Sequence, residues 1–223
     1  MKTAYCLQHV PFEGPGVFAA ALADAGYELT RRVVPTEGLP PNPGDFLLVM
    51  GGPMSANDPD RWIQNELAFI RRAVEAGVPY LGVCLGSQLL AKAMGGRVYK
   101  GPAVEIGFTR IVPTDAGRND PLFAGAPEPL DVFEWHGEGI DLPPGAVALA
   151  SSRHFPVQAF RGCPRAAGLL FHIEVETDGI AALCRNCPDD LARGGADAAA
   201  VQREATRYLP NLHRWARRMI SAL

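Results

Sequence analysis

No apolar run in this 223-residue chain approaches the length needed to cross a bilayer. The opening Met1-Lys2-Thr3-Ala4-Tyr5-Cys6-Leu7 meets Gln8, His9, Pro11 and Glu13 too early for a secretory apolar segment. Neither sign of charge dominates either. The 21 Lys and Arg residues are scattered against 24 Asp and Glu, for a formal charge of -3, which lacks the basic footprint of a nucleic-acid or anionic-membrane binder. A small neutral or zwitterionic substrate fits better. Cysteine is sparse and odd in number: Cys6, Cys84, Cys163, Cys184 and Cys187 make five in a chain too large to need disulfide staples. That pattern argues for a reducing compartment, with the cytoplasm as the default. Internal repeats, low-complexity tracts and interdomain linkers are missing as well, so one α/β domain is the expectation.

What is present is an alternation of strands and helices. Thr3 to Leu7 is a short apolar run, Gly14-Pro15-Gly16 opens an alanine-rich helical stretch ending at Gly26, and Tyr27 to Val34 reads as a strand. Phe46 to Met50 is continuously apolar, as in strands buried on both faces, and stops at Gly51-Gly52-Pro53. Trp62, Leu67, Ile70 and Val74 recur at roughly helical spacing between Asp60 and Ala76, Val78 to Val83 gives another buried strand, and Leu85 to Met94 is helical up to Gly95-Gly96. This alternation predicts an open, mostly parallel sheet with helices on both faces. Beyond Arg97 short strands are predicted at Val98-Tyr99, Ile106–Val112, Leu130–Trp135, Ala146–Ala150, Val157–Phe160 and Ala166–Phe171, extending or flanking the sheet. After Asp178 the pattern is helical, with Pro188 and Pro210 expected to interrupt it and an amphipathic end from Leu212 to Leu223.

Gly82-Val83-Cys84-Leu85-Gly86 falls where a predicted strand meets a predicted helix, the setting of a nucleophile elbow with cysteine in place of serine. The glycines permit the tight turn, and the helix amino terminus stabilises negative charge on the sulfur. Alone, Cys84 is as readily a small buried hydrophobe. A second element shifts the balance. Leu169-Leu170-Phe171-His172-Ile173-Glu174 delivers a histidine and, two residues on, an acid, which strand periodicity places on one face. A thiol nucleophile needs a base that later protonates the leaving amine, and that base needs a third group to fix its tautomer. Cys84, His172 and Glu174 supply these roles. Oxyanion stabilisation needs backbone donors, for which the Gly51-Gly52-Pro53 turn and the amide of Leu85 are candidates.

At this point the sequence resembles the class I glutamine amidotransferases, whose pattern has a Gly-Gly-Pro turn, a G-x-C-x-G-x-Q elbow and a late F-H-x-E. Here these are Gly51-Gly52-Pro53, Gly82 through Gln88, and Phe171-His172-Ile173-Glu174, in that order. Phe133-Glu134-Trp135-His136-Gly137-Glu138, followed by Leu142-Pro143-Pro144-Gly145-Ala146, is similar to a loop of stand-alone members related to the glutaminase part of GMP synthase. The resemblance implies a flavodoxin-like fold over residues 1–223, with a catalytic core of about 10–176 and a helical segment of about 178–223. It implies a glutaminase without metal or cofactor: Cys84 attacks the glutamine side-chain amide, His172 and Glu174 assist, and water hydrolyses the thioester. Gly52 and Leu85 would form the oxyanion hole, Gln88 would contact substrate, and the backbone around Trp135 and His136 would hold its α-amino and carboxylate groups. No ATP-binding or acceptor region follows Glu174, which leaves the ammonia acceptor unassigned, with a separate synthetase subunit as the candidate partner. Ser87 stands where many members have histidine, and Leu170 where glutamine often precedes Phe-His.

Three other readings bear on the same residues. A γ-glutamyl peptidase would use the same triad on an amide carrying a larger group on its nitrogen. The cysteine hydrolases and chaperones similar to DJ-1 share the elbow but typically carry histidine directly after the cysteine, where this chain has Leu85. A non-catalytic regulatory or binding subunit could retain the fold. Cys184-Arg185-Asn186-Cys187 has the spacing of half a zinc or redox site and lacks a second pair. His9 and Glu13 are placed at the pocket mouth or in a structural loop, and His154 on the surface. His136 is the other histidine that could be taken for the base, a role the triad assigns to His172.

Overall fold

A computed structural model describes residues 2–223. In chain order, β1 (Lys2–Gln8) leads to α1 (Phe18–Asp24), β2 (Tyr27–Val33) and a single turn, α2 (Val34–Glu37); β3 (Phe46–Val49) leads to α3 (Arg61–Glu75); and β4 (Tyr80–Val83) to α4 (Leu85–Ala93). Then come β5 (Arg97–Arg110), β6 (Val112–Pro113), α5 (Asp115–Asn119), β7 (Asp131–Asp141), β8 (Val147–Ser151), β9 (Ala159–Cys163) and β10 (Ala166–Leu169). The chain closes with α6 (Thr177–Asn186), α7 (Pro188–Gly194) and α8 (Ala198–Met219).

Eight strands form one sheet in the order β2-β1-β3-β4-β10-β9-β8-β6. The first five run parallel, and β9, β8 and β6 continue the sheet antiparallel. Each central strand buries both faces, so its residues divide alternately between two cores. Phe46, Leu48, Leu81 and Val83 pack with α1, α6 and α8, whereas Leu47, Val49 and Tyr80 pack with α3 and α4. The carboxyl ends of four neighbouring strands, β1, β3, β4 and β10, therefore open onto one edge, the usual ligand-binding edge of an open α/β sheet.

Three sequence expectations are corrected. Val98-Tyr99 and Ile106–Val112 are not separate strands flanking the sheet: they belong mostly to the long β5, which pairs with β7 in a two-stranded ribbon of its own. The register shifts between Lys100 and Glu105, where Gly101-Pro102 breaks regular pairing and makes one strand read as two. The strand before His172 ends at Leu169, so the pleat does not carry His172 and Glu174. Pro188 does begin a new helix, but Pro210 lies within α8 without ending it. An interior proline costs about 3 kcal/mol. Burial of Val201, Ala205, Leu209, Leu212, Trp215, Ala216 and Met219 along one stripe outweighs that, at roughly 1.5–3 kcal/mol for each large apolar side chain.

Trp215 anchors this helix. Its ring centroid lies 5.3 Å from that of Phe123 and 5.9 Å from that of Phe171, and its indole N–H donates to the Leu122 carbonyl at 2.7 Å. Phe171 immediately precedes His172, so α8 supports the segment after β10 from behind. Trp215→Ala should lower unfolding free energy by about 3–5 kcal/mol in urea titrations. A loss below about 1 kcal/mol would mean that α8 packs without this anchor.

Candidate active site

β4 delivers Cys84 into a backbone conformation of φ 50°, the only positive φ at a non-glycine among the described residues. The turn is held by close packing. A Cβ at Gly82 would collide with the Gly86 carbonyl, and a Cβ at Gly86 would collide with the Val49 carbonyl of β3, so both glycines are sterically required. Tyr80 Oη donates to the Gly86 carbonyl at 2.8 Å, the Gly86 amide to the Met50 carbonyl at 3.1 Å, and Ser87 Oγ to the Cys84 carbonyl at 2.7 Å. The strained Cys84 is thus fixed by neighbours on both sides.

His172 reaches Cys84 from the segment after β10. Its amide donates to the Phe133 carbonyl of β7 at 2.7 Å, which pins the segment to the ribbon. His172 Nδ1 lies 2.8 Å from Glu174 Oε1, while Glu174 Oε2 accepts from the Ile173 amide at 3.0 Å. The carboxylate is oriented by its own backbone rather than by strand pleating. Gly16, at φ 48°, lets the loop before α1 press against the Glu174 carbonyl, where any Cβ would collide, and the Val17 amide donates to that carbonyl at 2.9 Å. Burial disfavours charge on His172, but Glu174 and hydrogen bonding to Cys84 more than offset it and hold the imidazole well above its ordinary pKa.

Cys84, Gln88, Gly52, Trp135 and His136 line one cavity of about 650 Å³, together with Lys100, Glu138, Cys187, Asp190 and Arg193. His172 and Glu174 line an adjoining cavity of about 450 Å³, and Glu13 borders both. Leu85 is packed against Gly52, its Cδ2 only 3.1 Å from where a Cβ on Gly52 would stand. Trp135 offers its carbonyl 3.7 Å from Cys84 Sγ and is held by its indole N–H donating to Asp190 at 3.1 Å.

His136 occupies a buried acidic nest, with Nε2 3.0 Å from Glu134 and 3.5 Å from Glu105. Burial lowers its pKa, but Glu105 and Glu134 outweigh this and push it up to about 10. These three side chains also bring candidate metal-ligand atoms within 4.8 Å of one another. The proton competes directly with any metal there, because a ligating imidazole must be neutral on the coordinating nitrogen.

The pattern described as glutamine amidotransferase class-I matches residues 18–182, a span that includes Cys84, His172 and Glu174. The chain belongs to this family. It is 34% identical over 192 residues to the glutamine amidotransferase-like protein YfeJ of Salmonella typhimurium, covering 82% of this chain and 80% of that one. It is 36% identical over 134 residues to one subunit of the glutamine-hydrolysing GMP synthase of Saccharolobus solfataricus, covering 59% of this chain and 68% of that one. The longer GMP synthases that it also matches extend far beyond it, and the chain spans 23% of the length of one of them. A crystal structure of a glutamine amidotransferase from Methylobacillus flagellatus superposes with a TM-score of 0.87 at 34% identity, covering 100% of this chain and 96% of the other.

Within this family framework, the two departures have local explanations. Ser87 is fully buried and braces the elbow through the Cys84 carbonyl, and Leu170 is buried in the α3–α4 core. Cys187 faces the cavity, but Cys184 and Cys187 belong to no cluster of metal-ligand geometry among the described residues. His154 is exposed, as expected. Other residues were underrated by sequence reasoning. His9 is buried behind the Gly51–Gly52 turn rather than at the mouth, and Glu66 pairs with it from α3. Glu66 interrupts the buried stripe Ile63, Leu67, Ile70 and Ala73, and an acid on an apolar helix face was the available signal. Glu105, Asp190 and Arg193 carried none, because they approach the cleft from distant elements.

Glu13 reaches in over Gly51. A Cβ on Gly51 would collide with Glu13 Oε2, and the same point lies 3.3 Å from His172 Cε1 and 3.5 Å from Cys84 Cβ. Burial raises its carboxyl to about 7; His172 and His9 oppose the rise, while Glu174 and Asp190 add to it. A carboxyl with a raised folded pKa binds more protons when folded than unfolded, so its contribution weakens stability as pH climbs from 4.5 toward about 7. Glu13→Gln should therefore be more stable than the parent at pH 8, on the order of 1 kcal/mol after solvent screening, with the gain vanishing near pH 4.5. Unfolding titrations at both pH values check this, and a pH-independent difference would contradict it.

Proposed function

We propose that the chain hydrolyses the side-chain amide of glutamine to glutamate and ammonia through a thioester on Cys84. The observation that carries this reading is the convergence of a strained Cys84, the His172 imidazole and an oriented Glu174 carboxylate where two adjoining cavities meet. Cys84 passes its thiol proton to His172 as the sulfur attacks the amide carbonyl, and negative charge develops on oxygen toward the amides of Gly52 and Leu85. His172 gives its proton to the amide nitrogen, the C–N bond breaks and ammonia leaves. Water then attacks the thioester as His172 takes one of its protons, and glutamate departs. Glu174 keeps His172 in the required orientation throughout.

Gln88 and the backbone of Trp135 and His136 are the substrate contacts in this account, and residues 1–223 act as one catalytic domain. Five unpaired cysteines suit a reducing, cytoplasmic setting. The ammonia acceptor is proposed to lie on a separate synthetase subunit; the similarity to one subunit of a GMP synthase motivates this reading.

One observation favours a second substrate. The cavity of about 650 Å³ extends past Cys84 to Lys100, and to Arg193 paired with Asp190, cations placed for a substrate longer than glutamine. A γ-glutamyl peptide would place its second carboxylate there. Purified protein incubated with glutamine and with γ-glutamyl dipeptides should release glutamate, and Cys84→Ala should reduce release to background. Glu174→Ala should slow it roughly 10²–10⁴-fold. Fast dipeptide cleavage with negligible glutamine turnover would establish the peptidase reading instead. Undiminished activity in Cys84→Ala would overturn both.

A further inference from the structure

Behind the catalytic turn lies a buried ion pair that the hydrolytic steps do not use. His9 follows β1 and Glu66 stands on α3, 57 residues further along, and both side chains are 0% exposed. His9 Nδ1 is 2.9 Å from the Gly51 carbonyl oxygen, and Nε2 is 3.1 and 3.2 Å from the two Glu66 oxygens. A carbonyl oxygen only accepts, so Nδ1 carries a proton, and Nε2 is left facing the Glu66 carboxyl group. Burial disfavours the cationic form, but Glu66 and the Gly51 carbonyl outweigh it and raise the pKa of His9.

We propose that His9, braced by Glu66, is a positioning residue that fixes the Gly51–Gly52 peptide plane and thereby aims the Gly52 N–H into the cleft. The proposal rests on the thioester reading above. Its physical basis is peptide planarity: in a trans peptide, the carbonyl of one residue and the N–H of the next point in opposite directions. With the Gly51 oxygen anchored behind the turn, the Gly52 N–H is directed to the other side, where Gly52 lines the Cys84 cavity. Two consecutive glycines can rotate this peptide at little steric cost. A flipped plane would present a carbonyl oxygen to the developing oxyanion and turn stabilisation into repulsion.

Two further observations support the assignment. A Cβ on Gly52 would stand 2.8 Å from His9 Cβ, so the turn and the histidine are packed as one unit. A buried ion pair is also a poor source of stability, because desolvation of both charges consumes most of their attraction, and apolar replacements are often neutral or better. Burying this pair against the one peptide whose direction matters is consistent with a geometric role.

The test compares His9→Asn, which keeps an N–H donor near the Nδ1 position, with the double variant His9→Leu/Glu66→Leu, which removes the donor without leaving a bare buried carboxylate. Glutamine turnover is measured beside alkylation of Cys84 by iodoacetamide, in which sulfur displaces iodide and no oxyanion forms. The double variant should lose roughly tenfold or more in kcat with KM changed less than about twofold. Its Cys84 alkylation rate should stay within about twofold of the parent. His9→Asn should recover most of kcat. Unchanged kcat in the double variant would overturn the assignment, and so would parallel losses in turnover and alkylation, which would reduce the pair to a folding element. Failure of the parent protein to turn over either glutamine or γ-glutamyl dipeptides would defeat the hydrolytic reading first. Parent activity that is indifferent to His9 would defeat only this inference.

Discussion

The contact between β3 and α4 governs the rest of the site. Gly86 has no side chain, so the first turn of α4 presses against the Val49 carbonyl, and this closeness forces Cys84 into its positive φ. The same contact seats Leu85 beside Gly52, bringing the start of α4 and the turn after β3 together at the sulfur. A larger residue at position 86 would push the helix away and separate these groups at once. The strain at Cys84 is sustained because surrounding packing over-determines it.

Around that contact the sheet acts as a collecting edge. β1, β3, β4 and β10 are neighbours in the sheet, yet Gln8, Val49, Val83 and Leu169 at their ends are spread widely along the chain. Parallel strands bring all four carboxyl ends to one side, so His9, the Gly51–Gly52 turn, Cys84 and His172 meet without any long loop. The β5–β7 ribbon closes the cleft with Trp135 and His136, and α7 closes it with Asp190 and Arg193. Electrostatics follows this geometry. Three buried histidines, His9, His136 and His172, each face carboxylates that outweigh the cost of burial and raise the imidazole pKa.

Legibility in the sequence followed the range of the interactions. The elbow, the Gly-Gly-Pro turn and the His172–Glu174 pair are local, and each could be read from a few adjacent residues. The parallel core was equally legible, since a strand buried on both faces shows as an unbroken apolar run such as Phe46–Met50. The β5–β7 ribbon was misread because Gly101-Pro102 splits the pattern of a strand whose pairing resumes at Glu105. Pro210 misled for a different reason: the cost of an interior proline is local, whereas the burial that offsets it is tertiary. His9 with Glu66, and Glu13 with its approach over Gly51, depend on contacts between distant elements that no short motif encodes.

The most direct measurement of the central claim is mass spectrometry of protein quenched in acid during turnover, followed by proteolysis. The account predicts one glutamyl group attached to the peptide containing Cys84, present with glutamine or a γ-glutamyl dipeptide and absent without substrate. Glutamate release with the adduct on another residue, or with no adduct on Cys84 even when water attack is slowed, would contradict it.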